Sequence, residues 1–445
     1  MAKRIAVIGG GAAGLMAALY AARSGASVTL FERNEKLGKK IYITGKGRCN
    51  VTNAAEPEAF MKNIVRNPRF LYASFAALNN TGLMTLLEDL GVRLKVERGE
   101  RVFPESDHAS DVTLALEREI RRLGVKVLLN ERVKRVLSEN GRAAGVETED
   151  GRAHAFDAIV VATGGLSYPT TGSTGDGYVF AKDAGHAIAP CRPALTSIET
   201  VETWPERLMG LSLKNVVLSA YQETGGKPKK LFSEMGEMLF THFGVSGPLV
   251  LTLSSILPES VSGVRLSIDL KPALDEGALD QRILRDFSQM KNKRLGTCMD
   301  GLEPHALGEM ILELCDLSPY QPINGVTAVE RRRLVKTLKA VPLTVKALRG
   351  MNEAIITRGG VQVKGVNPST MESRLLPGLY FAGEVLDVDA LTGGFNLQIA
   401  FSTGALAGKS AAAGRPPHLC GVALKLFRTT QELSFLCRIF INYWI

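Results

Sequence analysis

At 445 residues, 45% hydrophobic and 22% charged, the sequence reads as an ordinary soluble globular protein with room for two or three domains and a large core. The net charge of +9 is spread out, densest at Arg331-Arg332-Arg333 and over Lys227–Lys230; with no aromatic residues interleaved these read as solvated faces, which makes nucleic-acid binding the minority expectation. The six cysteines (Cys49, Cys191, Cys298, Cys315, Cys420, Cys437) form no C-x-x-C and keep no histidines at metal-ligand spacing, no apolar run reaches eighteen residues, and no signal segment precedes the first strand. Zinc, a redox dithiol and a membrane span are therefore not expected, and a cytoplasmic location is.

The chain is organised around Lys3–Glu32. The apolar run Ile5–Ile8 predicts a buried strand that enters glycines directly, and Leu15, Leu19 and Ala22 mark one face of a following helix. Gly25 stops that helix, and Ser27–Phe31 predicts a second strand. Gly9, Gly11 and Gly14 hold the G-x-G-x-x-G spacing: the first allows a tight turn, the second lets a diphosphate touch the backbone, and the third lets helix and strand pack closely. The helix N-terminus offers free N–H groups and partial positive charge to an anion. Glu32, eighteen residues past Gly14, closes the unit where a carboxylate can accept bonds from ribose hydroxyls and repel a 2′-phosphate. The alternative is a glycine turn that binds nothing, but the strand, helix and acid together favour an ADP-bearing dinucleotide. This unit alone does not separate FAD from NAD.

Arg33–Asn53 is dense in glycine and small polar residues and reads as a functional loop rather than a merely solvated one. Gly45 and Gly47 permit close backbone approach, and Lys46, Arg48, Asn50, Thr52 and Asn53 supply donors. Helical patterns follow at Pro68–Asn79 and Thr81–Leu90, then an extended stretch to Pro104, an amphipathic helix Asp111–Leu123, a strand Val125–Leu129, and hairpins around Asn140-Gly141 and Asp150-Gly151. The apolar strand Ala158–Ala162 runs into Thr163-Gly164-Gly165, a second point where backbone groups could meet a cofactor. A turn-rich segment, Tyr168–Gly177, precedes a helix Tyr178–Ala184.

From about Cys191 the pattern turns β-rich (Leu211–Tyr221, Glu237–Phe240, Val264–Leu270) and then helical over Asp275–Leu338. His242 stands in a turn there, and a structural role is favoured over a catalytic one. Strands are expected again at Glu353–Thr357 and Val361–Val363. Gly378–Glu384 predicts a strand ending in an acid able to bond ribityl hydroxyls, and Gly393-Gly394 opens a helix, Ile399–Ala407, whose dipole could support charge at a flavin's N1 edge.

These three separated pieces resemble the glutathione-reductase type of FAD-binding fold. More narrowly, GKGRCNVTN at 45–53, ATGGLSYPTTGSTGDGY at 162–178, THFGVSGP at 241–248 and FAGEVLDVDALTGGFNLQIAFSTG at 381–404 resemble a bacterial family of NAD(P)/FAD-dependent oxidoreductases, over about residues 3–412. Some members are linked to bile-acid dehydroxylation and one branch to aminoacetone oxidation.

The resemblance implies an α/β protein. A discontinuous Rossmann-like FAD-binding domain (1–191 and 346–412) would carry an inserted β-barrel-like domain (192–270) and a helical insert (271–345). The tail, 413–445, departs from the family and suggests an altered or frameshifted end. Carried over by position, Gly9, Gly11, Ala12, Gly14 and Glu32 would hold the ADP half and Val133 would meet adenine. Arg33, Lys40, Gly47, Arg48, Asn50 and Thr52 would follow the loop along the cofactor, with Ala162, Thr163 and Gly164 at the second strand. Gly383, Glu384, Gly394, Asn396, Leu397 and Gln398 would meet the ribityl and pyrimidine side.

Flavin would supply the reactive centre, which lowers the demand for catalytic side chains; Arg48, Cys49 and Asn50 are the candidates. Cys49 reads more simply as a small buried thiol than as a nucleophile. Arg48 could anchor an anionic substrate, or, the favoured reading, offset charge on reduced flavin. No second dinucleotide unit is visible, so NAD(P)H would bind transiently or oxygen would accept electrons. The leading expectation is an FAD-dependent oxidoreductase acting on a small organic molecule by hydride transfer; the alternatives are an RNA-modifying flavoprotein and a flavin-binding protein without turnover.

Overall fold

The computed structural model describes residues 2–224 and 227–413; the C-terminal segment from 414 onward, including most of the atypical tail, lies outside the described residues. Five short apolar strands build one parallel sheet, in the order Leu379–Phe381, Ala158–Val161, Arg4–Ile8, Ser27–Glu32, Lys126–Leu129. The central strand is buried along Ile5–Ile8, as a parallel sheet covered on both faces requires. Register places Ile8 opposite both Phe31 and Val161, and Val161 opposite Phe381. The carboxyl ends of four strands therefore reach one edge together, with Gly9, Glu32, Ala162 and Ala382 just past them. In open parallel sheets that edge is where ligands bind.

Helix Ala12–Arg23 follows the first glycine turn, and a long helix, Phe395–Ala413, crosses against it. The contact is backbone to backbone: a Cβ on Gly404 would lie 2.2 Å from Ala13 O and one on Gly408 2.2 Å from Ala17 O. Any side chain at those positions would push apart two helices that both border the sheet's ligand edge.

The β-rich residues close into a six-stranded antiparallel barrel: Ile198–Thr200, Gly244–Ser246, Lys227–Thr241, Ser212–Thr224, Val264–Asp269, Val341–Leu348. The spacing in the sequence ended the β-rich stretch at 270, yet the closing strand comes from beyond the helices. Its Val341, Leu343 and Val345 alternate inward and complete the barrel core. Helices Glu276–Gln289, Leu295–Met299, His305–Leu314 and Ala328–Lys339 thus form an excursion between the fifth and sixth strands, and Leu279, Ile283, Ile311 and Leu334 share the barrel's core. Asp275 caps the first of these helices, and a Thr327–Glu330 capping box starts the last.

Two chain segments join barrel to sheet, and they run side by side. Strands Ile188–Ala194 and Ile356–Val361 pair antiparallel, and Ile355 N–H reaches Leu195 O at 3.2 Å. A small apolar cluster of Ala194, Leu195 and Ile356, with Leu251 and Ile355 against it, sits at this joint. Among the described residues no helix is long and apolar enough to cross a membrane.

Candidate functional site

One cleft of about 1090 Å³ runs along the carboxyl edge of the parallel sheet. That lies just above the roughly 300–1,000 Å³ usual for a drug-sized ligand, as a larger molecule such as a dinucleotide needs.

At one end the first glycine turn is held tightly. Gly9 has φ +102° and its N–H bonds Phe31 O at 2.8 Å; an added Cβ would meet Ala162 O at 2.5 Å. Gly11 caps the helix with nothing within 4 Å of an added Cβ, so its backbone faces open space. Gly14 lies behind the wall, where an added Cβ would be 1.8 Å from Gly9 O. Glu32 is buried: Oε2 accepts Gly10 N–H at 2.7 Å, and Oε1 accepts Asn34 N–H and Nδ2 at 2.8 and 2.6 Å. These bonds fix the carboxylate at the cleft wall with one acceptor site, on Oε2, left for a hydroxyl donor.

Residues 171–176 of the turn-rich segment close over this end. Asn34 Nδ2 donates to Thr171 O at 3.0 Å, Arg33 Nη1 to Thr174 Oγ1 at 2.5 Å, and Arg132 makes two 3.0 Å bonds to Asp176. Burial would raise the Asp176 carboxyl, but Arg132 and Arg33 hold it below the usual range. Val133, where the next strand begins, lines the same end.

At the middle, Ala162, Thr163 and Gly164 form the wall. Thr163 Oγ1 is buried without a hydrogen-bond partner and faces the helix that starts at Asp176, where a Cβ added to Gly177 would lie 2.2 Å from it; the residue meets the cleft by its other atoms. Lys40 Nζ donates to Glu384 Oε2 at 2.7 Å and to Ser167 Oγ at 2.5 Å, and Glu384 Oε1 also accepts Thr357 N–H at 2.8 Å. Burial pushes Glu384 up, and Lys40 with these hydrogen bonds brings it below its ordinary value.

The far end is made by the 44–53 loop and the start of the long helix. Gly45, Lys46, Gly47 and Cys49 all have positive φ, a run of left-handed backbone that curls the loop against the cleft. With its amide oriented to satisfy its neighbours, Asn50 donates to Val102 O and Thr52 O and accepts Gly394 N–H at 3.0 Å. Gly394, Asn396 and Leu397 line the cleft, so the N-terminus of helix Phe395–Ala413 borders it and brings partial positive charge.

Of the sequence candidates, Gly14, Gly47, Cys49, Thr52, Gly383 and Gln398 do not line the cleft. Thr52 Oγ1 donates to Gln398 Oε1 at 2.6 Å, both fully buried, and Gln398 Nε2 continues to Leu78 O. They brace loop to helix from behind. Gly383 packs on Ala13 and bonds Thr403 Oγ1. Cys49 has no exposure, and burial pushes its thiol up to about 12. Arg48 lines the cleft, but its charge is spoken for: it pairs with Glu97 and Asp107 and stacks 4.2 Å over Phe103. His242 is exposed in the turn between barrel strands, edge-on to Phe243, outside the cleft.

The barrel side of the cleft, its roof, leaves no local signal in the sequence. Leu195, Pro248, Leu251 and Ile355, from the joint and the barrel's helix Pro248–Ile256, line the cleft on this side, with Ile43, Val388 and Leu391 among its other apolar linings. Pro248 ended the quoted THFGVSGP motif, but no short-range pattern says that this motif reaches the nucleotide sheet.

The glycine cradle, the open approach at Gly11, the tethered Glu32 and the size of the cleft fit a dinucleotide such as FAD. Comparison with known proteins points the same way. Residues 3–410 match the family described as HI0933-like protein Rossmann domain. The chain is 32% identical over 423 residues to a 3-dehydro-bile acid delta(4,6)-reductase of Clostridium scindens, covering 92% of this chain and 99% of that protein. It is 31% identical over 401 residues to a ribosomal RNA dihydrouridine synthase of Haemophilus influenzae, covering 89% and 95%. The solved structure of Mycobacterium smegmatis Sdh1 in complex with UQ1 shares the fold, with a TM-score of 0.50 at 17% identity over 93% of this chain and 69% of that one.

Proposed function

The chain belongs to the HI0933-like Rossmann-domain family, and from that premise we propose that it is an FAD-dependent oxidoreductase that reduces a carbon–carbon double bond conjugated to a carbonyl in a small apolar molecule. Both relatives' names describe the gain of hydrogen across such a bond. Bound FAD supplies hydride exchange at its ring; the remaining tasks fall to the chain's own groups.

Gly9, Gly11, Ala12 and Glu32 would hold the ADP half, Arg33, Arg132 and Val133 would close around the adenosine end, and Thr163, Lys40 and Glu384 would hold the middle. The aliphatic roof would receive an apolar body, which burial there stabilises by roughly 25 cal/mol per Å².

The observation that carries the choice of substrate is an inventory of amides. A nucleobase edge is read by side chains with free donors and acceptors. Here Asn34, Asn50, Asn53, Asn63 and Asn396 all line the cleft, and each is committed to protein groups: Asn53 Nδ2 to Gly99 O and Gly393 O, Asn63 Nδ2 to Ala59 O, Asn396 to the Ala390 backbone. What stays uncommitted beneath the roof is mostly apolar surface, which favours a hydrophobic enone over a uridine in RNA.

The test is anaerobic. The protein is reduced with dithionite and mixed separately with a steroidal 4-en-3-one, cyclohexenone and uridine-containing RNA, following the return of oxidised-flavin absorbance. Fast reoxidation by the apolar enones supports the reading. Reoxidation by RNA alone would transfer the assignment to nucleic-acid reduction.

A further inference from the structure

We propose that Tyr168 is the proton donor of this reduction, an assignment that rests on the reading of the site as a reductase of conjugated double bonds. Such a reduction needs a hydride at the β-carbon and a proton at the α-carbon, so the wall must offer an uncommitted proton. Among the described residues, the side chains lining the cleft that carry one on a titratable group and have no hydrogen bond or ion pair are Tyr168 and Lys46. Lys40 is held by Glu384 and Ser167, and Lys39 by Asn34 and Glu35. The cleft's arginines do not give up a proton at working pH.

Tyr168 is the better placed of the two. It is partly buried while Lys46 is exposed, and its backbone is fixed against the roof segment: its N–H bonds Met351 O at 3.0 Å, and Leu166 and Ser167 N–H both bond Thr357 Oγ1, at 2.7 and 2.9 Å. Its own carbonyl accepts Thr171 N–H at 2.9 Å and Thr171 Oγ1 at 2.7 Å. All this holds a bulky, non-glycine residue at φ +52°, a conformation that persists only where the surroundings over-determine it and that clusters at functional sites. The structure thus commits Tyr168's backbone, against strain, and leaves the hydroxyl of this cleft-lining residue without a protein partner.

The step balances. The hydride at the β-carbon would come from reduced FAD, whose electrons a reduced nicotinamide or another two-electron donor would supply. The former π pair moves toward the carbonyl as an enolate. The α-carbon takes the proton from Tyr168 Oη, and the phenolate left behind regains one from water at the open cleft. Tyrosine is an accepted general acid, and such catalysis contributes about 10²–10⁴-fold.

The experiment separates the two half-reactions in Tyr168→Phe and Lys46→Met. Tyr168→Phe should retain FAD, bleach with reductant at the wild-type rate and still perturb its flavin spectrum on binding the enone. Its reoxidation by the enone should slow about a hundredfold or more. Product formed in D₂O should carry deuterium at the α-carbon in one configuration for wild type and in both for the variant. Wild-type reoxidation by Tyr168→Phe, or the same loss confined to Lys46→Met, would overturn the assignment while leaving the reductase reading intact. Failure of every enone to reoxidise wild-type protein would overturn both.

Discussion

Lys40 Nζ donates a 2.7 Å hydrogen bond to Glu384 Oε2, joining residues 344 apart in the chain at the middle of the cleft. Both side chains are about one-fifth exposed, so neither charge is well solvated alone. In Lys40→Met the carboxylate stays half-buried without its cation, a loss of about 1–3 kcal/mol. Glu384's folded value lies below its ordinary one, so its contribution is present above the unfolded value near 4.5 and is lost as pH falls through the folded one. Urea unfolding should therefore show Lys40→Met destabilised at pH 7 and converging on wild type toward pH 4. Equal stability at pH 7 would mean the pair holds nothing together.

Gly11 and Gly14 should fail in different ways. Alanine at 14 would set its Cβ 1.8 Å from Gly9 O, a backbone atom that cannot yield without moving strand from helix. We expect a loss of about 3 kcal/mol in stability. Alanine at 11 meets no protein atom within 4 Å, so the fold should hold, while the methyl occupies the space where a diphosphate would touch the backbone. Melting temperature should be nearly unchanged for Gly11→Ala, with flavin content at least tenfold lower. Full flavin content in Gly11→Ala would remove the diphosphate from that turn.

The fold was legible in the sequence where its causes are local. The Ile5–Ile8 run, the glycine spacing and Glu32 lie within one short unit, and each falls where that spacing implies. The hairpins around Asn140 and Asp150 follow from turn residues in the same way. The roof was illegible because its parts, Leu195, Pro248, Leu251 and Ile355, meet only after two distant segments pair across the joint. Thr52 and Gln398 carried polar side chains at positions next to true lining residues, and nothing in their spacing says that they would bond each other instead of facing the cleft. Arg48's partners, Glu97 and Asp107, lie at the end of strand Leu94–Glu97 and in the turn after the next strand, Arg101–Pro104, so its neutralisation also needed tertiary contact.

Cys49 should be chemically silent. With its thiol raised to about 12 by burial, it is protonated at any working pH and sealed from solvent. Native protein at pH 8 should leave Cys49 unlabelled by a thiol-disulfide reagent, and Cys49→Ala should change turnover less than about threefold while a small cavity costs about 1 kcal/mol. Rapid labelling with loss of activity would return Cys49 to the list of reactive groups.

Asp389 is the opposite case from Glu384. It is almost fully buried, neither carboxylate oxygen has a hydrogen-bond partner, and burial, opposed by Arg358 and Arg66, raises it from 3.8 to about 6. A raised folded value gives stability that is present below the unfolded value and lost as pH rises through about 6. At about 1.4 kcal/mol per unit, the ionised group costs roughly 3 kcal/mol above that pH. Asp389→Asn should therefore be more stable than wild type at pH 7.5, with the gain fading toward pH 4. A variant less stable at pH 7.5 would show that the arginines need the charge.

Separated glycine turns and strand ends of one chain should enclose a flavin dinucleotide. The direct measurement is to purify the full chain, record its visible spectrum, denature it, and quantify and identify the flavin released. The account requires a yellow protein that releases about one FAD per chain. A colourless protein that neither releases FAD nor takes it up when the two are mixed would contradict it.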